Sequence, residues 1–274
     1  MNPIALWRRL LAEFAGTALL VTSVVGSGVM AQTLSPDDIG LQLLQNSIAT
    51  AFALGALILI FGPVSGGHFN PVVSTADWFL GRRSRTGLTL PDLTGYVAAQ
   101  VTGGIAGAIL ANLMFALPAV TWSAKERSAG NLWLGEVVAT AGLVLLVFAL
   151  ARSGRAGAAP AAVGAYIGAA YWFTSSTSFA NPAVTIGRGF TDTFAGIQPA
   201  SIPAFLVAQV VGLAVGVALL LSLYPGVGRA ADQVVVPAEP AQPTVPAQPA
   251  DPAQPADPGG LATDEADTLA TARR

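Results

Sequence analysis

Six stretches of this chain are each long and apolar enough to cross a lipid bilayer. A spanning helix needs about 20 mostly apolar residues, and residues 10–30, 41–62, 93–115, 132–150, 159–176 and 203–224 meet that length approximately. The first carries Glu13 inside a run too long for a cleaved leader. Charged residues make up 10% of the chain, against about 25% in a soluble domain, which excludes an ordinary cytosolic enzyme. Cysteine is absent and histidine occurs once, so disulfides, thiolate nucleophiles and multi-histidine metal sites are excluded. A net charge of −2 offers no footprint for nucleic acid. No catalytic residue, metal or cofactor is expected.

Arginine and lysine in short loops set the orientation of such a chain. With the N-terminus inside, the inner loops hold Arg8, Arg9, Arg82, Arg83, Arg85, Arg152 and Arg155. The outer loops hold Lys125, Arg127 and Arg188. Both termini are therefore expected in the cytoplasm of a cell bounded by an inner (plasma) membrane. After Tyr224 the composition changes. From Pro237 to Pro258 a proline recurs at every third position among Ala, Gln and Asp, a pattern that favours extended polyproline II and buries no core. The expected organisation is a membrane domain over 1–224 and a disordered cytoplasmic tail over 225–274, either solvated or serving as a docking peptide.

The membrane part repeats itself. Ala12-Glu13-Phe14-Ala15-Gly16-Thr17-Ala18 is echoed by Gly135-Glu136-Val137-Val138-Ala139-Thr140-Ala141. Phe69-Asn70-Pro71-Val72 is echoed by Ala180-Asn181-Pro182-Ala183, and Ala99-Gln100-Val101-Thr102-Gly103 by Ala208-Gln209-Val210-Val211-Gly212. Three markers in one order divide the domain into halves of about 8–115 and 131–224. Each half holds three spans, an odd number, so the second enters the membrane inverted. Inverted repeats with interrupted helices place a site near the bilayer midplane.

Two shorter segments, near 68–79 and 181–191, are too short to span, and Asn-Pro stands at the head of each. Proline is tolerated in the first helical turn, where its missing N–H has no partner to lose. Two half-helices entering from opposite faces bring Asn70 and Asn181 together with both positive dipole ends at mid-membrane. Non-helical backbone at that depth survives only where protein or water surrounds it. The expected object is a pore whose centre repels cations and offers amide donors to a polar solute.

Ser65-Gly66-Gly67-His68-Phe69-Asn70-Pro71, Ala180-Asn181-Pro182-Ala183 and the paired glutamates, in register with six spans, resemble the aquaporin, or major intrinsic protein, family. The resemblance covers residues 8–224. It implies an all-α membrane protein with six transmembrane helices and two re-entrant half-helices, homotetrameric with one pore per subunit. It implies that Asn70, Pro71, Val72, Asn181, Pro182 and Ala183 form the pore motifs. Counting from the motifs as in the family puts the outer constriction at Thr50, Ala169, Ser178 and Val184, with valine where water and glycerol channels usually carry arginine. A ring of Thr, Ala, Ser and Val is wide and uncharged. The resemblance to bacterial members linked to arsenical handling then implies neutral arsenite and antimonite hydroxides, glycerol-like polyols and water as permeants. A water-selective channel and an ion-coupled secondary transporter are the alternatives.

Other residues admit two readings. Glu13 and Glu136 are ionisable groups inside spans, placed either for proton coupling or to hold the re-entrant loops. His68 either gates the pore with pH or anchors its loop. Arg188, four residues beyond Val184, either pairs with Asp192 at i, i+4 or reaches the pore, the ion pair being the expected arrangement. Gly103, Gly107, Gly212 and Gly216 form small-xxx-small pairs for close helix packing, with Gln100 and Gln209 bonding within those crossings.

Overall fold

The computed structural model describes residues 4–225, which hold no strand. Eight helices follow in order: α1 (Leu6–Leu34), α2 (Ile39–Ser65), α3 (Pro71–Gly81), α4 (Leu90–Met114), α5 (Gly130–Arg152), α6 (Ala159–Phe173), α7 (Pro182–Gly187) and α8 (Ile202–Leu223). α1, α2, α4, α5 and α8 are long and apolar enough to cross a membrane. The proline-rich tract expected to form a tail lies outside the described residues.

The starts of these helices are written in local chemistry. Asp38 caps α2 by accepting Leu41 N at 2.8 Å, and Thr89 caps α4 by accepting Asp92 N at 3.3 Å. Asn70 and Asn181 cap α3 and α7, each followed by proline at the first helical position.

Two elements are shorter than the apolar pattern suggests. α6 has 15 residues, about 22 Å at 1.5 Å per residue, and is extended at its start only by the 3₁₀ turn Ala156–Ala158. It ends where Thr174 turns extended (φ −109°, ψ 140°): Ala170 O accepts both Thr174 N and Thr174 Oγ1, and beyond it Ser176 Oγ accepts Ser178 N at 3.2 Å. α7 is α-helical for six residues and then tightens into a 3₁₀ turn over Arg188–Phe190.

The halves mirror each other in packing. α1 lies mainly on α4, α5 on α8, and α2 on α6. A Cβ on Gly103 or Gly107 would strike the backbone of Phe14 or Ala18 in α1. A Cβ on Gly212 or Gly216 would strike Val137 or Ala141 in α5. The four glycines therefore let backbones touch where no side chain fits.

The distribution of polarity is that of a protein in lipid. Phe52 is 77% exposed, and Leu59, Ile60, Val207 and Leu223 face outward with it. Glu13, Gln100, Glu136 and Gln209 are fully buried. Exposed apolar surface on this scale marks contact with lipid or with another protein surface.

Candidate functional site

The two buried glutamates hold the loops that precede the half-helices. Glu13 Oε1 accepts Ser65 Oγ at 2.6 Å and His68 N at 3.0 Å, and its Oε2 accepts Phe69 N and Gln100 Nε2, each at 2.7 Å. Glu136 repeats the pattern: Oε1 accepts Phe179 N at 2.8 Å, and Oε2 accepts Ala180 N at 2.8 Å and Gln209 Nε2 at 2.7 Å. Each carboxylate thus satisfies backbone N–H groups that neither helix nor water reaches. Gln100 continues to Ser74 Oγ at 2.9 Å and Gln209 to Thr185 Oγ1 at 2.8 Å, tying each loop to its own half-helix.

Loop and half-helix meet at a residue in the left-handed region, Phe69 (φ 47°) in one half and Ala180 (φ 48°) in the other. This conformation is unfavourable for a residue with a Cβ, and the glutamate bonds to the same two residues hold it in place. Asn70 Nδ2 donates to Ala180 O at 2.8 Å, and Asn181 Nδ2 donates to Phe69 O at 2.8 Å. The half-helices therefore meet N-terminus to N-terminus, each asparagine bonded to the other's loop.

This network also sets which way the carboxamides face. Asn70 Oδ1 is taken by Val72 N at 3.0 Å, and Asn181 Oδ1 by Ala183 N at 2.9 Å and Val184 N at 3.3 Å. One N–H of each amide is used in the cross-tie. An amide nitrogen carries two, and both asparagines line the central cavity, so what each presents to it is a donor. The cavity has a volume of about 60 Å³, against roughly 10–15 Å³ for one water. That is room for a short file of small molecules.

The sequence expectation for the constriction is corrected at two points. Thr50, Ser178 and Val184 line the cavity, but Ala169 does not; it is exposed on the outer surface of α6. The stripe that α6 turns inward is Val163, Ile167 and Tyr171, at i, i+4 and i+8, and Ala169 falls about 200° around the helix from Tyr171. Tyr171 OH lies 3.1 Å from Thr50 Oγ1, so an aromatic ring stands where a methyl was expected.

The second correction concerns Arg188. No ion pair with Asp192 forms; among the described residues the one salt bridge is Arg9–Asp92 at 3.5 Å. Asp192 Oδ1 instead accepts Ala124 N at 3.0 Å and Ser123 Oγ at 3.4 Å. Arg188 is 2% exposed, lines the cavity with Val184, and donates through Nε to Ala195 O. Its guanidinium carbon sits 3.4 Å from the centre of the Phe179 ring. Beside Thr50, Ser178 and Val184, the lining thus carries an aromatic ring and a cation, Tyr171 and Arg188.

His68 lines the cavity near the opposite mouth, with Nδ1 3.0 Å from Ser74 Oγ and its ring 5.5 Å from that of Tyr96. No cluster of His, Cys, Asp or Glu among the described residues could hold a metal ion.

The model of the family described as "Major intrinsic protein" matches residues 1–180. The chain belongs to the major intrinsic protein family. It is 50% identical over 220 residues to the aquaglyceroporin AqpS of Rhizobium meliloti (strain 1021), covering 80% of this chain and 91% of that protein. It is 34% identical over 188 residues to a probable TIP-type aquaporin of Medicago truncatula, covering 65% of this chain and 72% of that protein. Among solved structures, the aquaglyceroporin of Plasmodium falciparum superposes with a TM-score of 0.60 at 20% identity, covering 83% of this chain and 99% of that one, a likeness of fold. This member of the family is a multi-pass membrane protein, a channel for small neutral solutes and not an enzyme.

Proposed function

We propose that this member of the family passively conducts small uncharged solutes rich in hydroxyl groups. The class includes glycerol-like polyols, the neutral trihydroxides of trivalent arsenic and antimony, and water. The observation that carries this reading is the pair of amide donors at Asn70 and Asn181. A solute oxygen that sheds its water on entering a narrow apolar tube needs a donor at the narrowest depth, and a buried hydroxyl without one costs about 1–3 kcal/mol. Cations gain nothing from a site that offers only N–H groups.

Further parts of the reading are supported by family membership and by the loop charges. The subunits form a homotetramer with a pore in each. Residues 8–115 and 131–224 act as the two halves of the channel domain, and the Arg188 mouth faces away from a cytoplasm that holds both termini of an inner-membrane protein. The half-helix meeting point offers amides and no carboxylate, and both intramembrane glutamates are engaged in loop bonds, so the transport is uncoupled.

Stopped-flow light scattering on proteoliposomes, with water, glycerol and arsenous acid gradients, tests the proposal. Solute flux well above that of empty liposomes, running only downhill, is expected. Fast water flux without solute flux would leave a water channel, and uphill accumulation under a proton gradient would make it a transporter.

A further inference from the structure

The pore mouth opposite His68 carries a fixed cation whose sequence position disguises it. Arg188 lies four residues beyond Val184, at the start of the 3₁₀ turn that follows α7, and both line the cavity. It is held from two sides. Nε donates to Ala195 O, and the guanidinium packs on Phe179, a ring that also carries Arg127 at 4.9 Å. Neither hold uses the Nη atoms. Among the described residues these atoms make no hydrogen bond, and both nearby carboxylates are occupied by backbone N–H groups: Asp192 by Ala124, and Glu136 by Phe179 and Ala180. A second polar group on the lining, Ser178 Oγ, is buried without a partner. An arginine 98% buried with its fork open to a conduit is a recognition group awaiting acceptors.

We infer that Arg188 is the specificity-determining residue of this mouth, its two Nη groups receiving the oxygens of a hydroxyl-rich solute while its charge turns back cations. The inference rests on the channel reading above and names which residue does the selecting. It makes Val184 a vacancy that Arg188 covers from one turn away. A guanidinium is planar and offers parallel donors, so it suits solutes carrying two oxygens on neighbouring atoms or on one central atom. Vicinal diols and trihydroxides have that shape; water does not exploit it.

The test compares wild type, Arg188→Lys and Arg188→Leu in proteoliposomes, reading the glycerol-to-water permeability ratio and the proton leak. Leucine keeps an apolar side chain against Phe179 and removes every donor. Lysine keeps the charge and loses the fork. The ratio is expected to fall about tenfold in Arg188→Leu and about threefold in Arg188→Lys, the scale of one hydrogen bond to a charged group. The proton leak is expected to rise only in Arg188→Leu. A ratio that rises in either variant would mean that Arg188 merely narrows the tube. A ratio unchanged from wild type overturns the inference just as firmly. If Arg188→Leu does not purify as folded protein, the Arg188→Lys ratio decides alone. A wild type that passes neither glycerol nor arsenous acid refutes the solute-channel reading itself, a result distinct from either failure.

Discussion

Removing the charge of Glu13 is the sharpest probe of how the pore centre is held. Four donors converge on this carboxylate, two on each oxygen: Ser65 Oγ with His68 N, and Phe69 N with Gln100 Nε2. In Glu13→Gln one oxygen becomes an NH₂ group. Ser65 can rotate to accept from it, and Gln100 can turn its amide, whose Oε1 has no partner now. The backbone cannot adapt. Whichever way the new amide faces, His68 N or Phe69 N meets another donor, at about 1–3 kcal/mol for one buried N–H left unpaired. The remaining bonds weaken as charge assistance goes, and relief from burying a charge returns part of that loss. We expect a net destabilisation of about 2 kcal/mol for Glu13→Gln, and about 4 kcal/mol for Glu13→Leu, which strands both N–H groups. Flux should fall with stability, because Phe69 O is the acceptor for Asn181 Nδ2, so a loosened loop displaces both asparagines. Thermal unfolding in detergent, followed by tryptophan fluorescence, reads the first quantity, and stopped-flow scattering reads the second. A Glu13→Gln protein with an unchanged midpoint would refute the reasoning. So would one that is fully stable but has lost accumulation against a gradient, since that is the behaviour of a coupling group.

Three further outcomes are expected. Asn70→Asp keeps shape but replaces the donor facing Ala180 O with an acceptor, so water and glycerol flux should drop about tenfold in stopped-flow assays, the scale of one charged hydrogen-bond mismatch. Arg127→Met removes the Nε bond to Gly196 O at 3.1 Å and should lower the melting midpoint by the equivalent of about 1.5–3 kcal/mol. Burial pushes this guanidinium down to about 10 from 12.5; the folded form then sheds its proton first, so stability rises with pH only above about 10, and the gap between Arg127→Met and wild type should stay flat from pH 5 to 9. Mercuric ion at micromolar concentration should leave flux untouched, since the chain has no cysteine; block relieved by a thiol reagent would contradict that.

Most of the architecture was legible because its signals are local. Apolar run length marks the spans, and proline after a capping asparagine marks each half-helix. Glutamate, asparagine and glutamine recurring in order expose the duplication without any knowledge of packing. What failed was register carried across a loop. Counting back from Asn181 to Ala169 crosses the turn at Thr174–Ala180, where Thr177, Ser178 and Ala180 all take positive φ, and no count of residues through such a turn fixes which face of α6 points inward. Arg188 was misplaced for a related reason. The i, i+4 rule assumes a continuing helix, but the backbone tightens at Arg188 and is extended by Thr191 (φ −140°, ψ 129°), so Asp192 is not one turn on. Loop N–H groups then claim its carboxylate.

The crossed asparagine bonds have a consequence for how the protein is made. Asn70 finds its acceptor at Ala180 and Phe69 supplies one to Asn181, so neither loop is complete until the chain has been synthesised past residue 181. At about 5–20 residues per second, that is a delay of roughly 6–20 s after Asn70 emerges. During this interval the first three spans sit in the membrane around an unclosed re-entrant loop, with an amide and a carbonyl still looking for partners. The first half is thus a nascent intermediate that only its own late-arriving twin can finish.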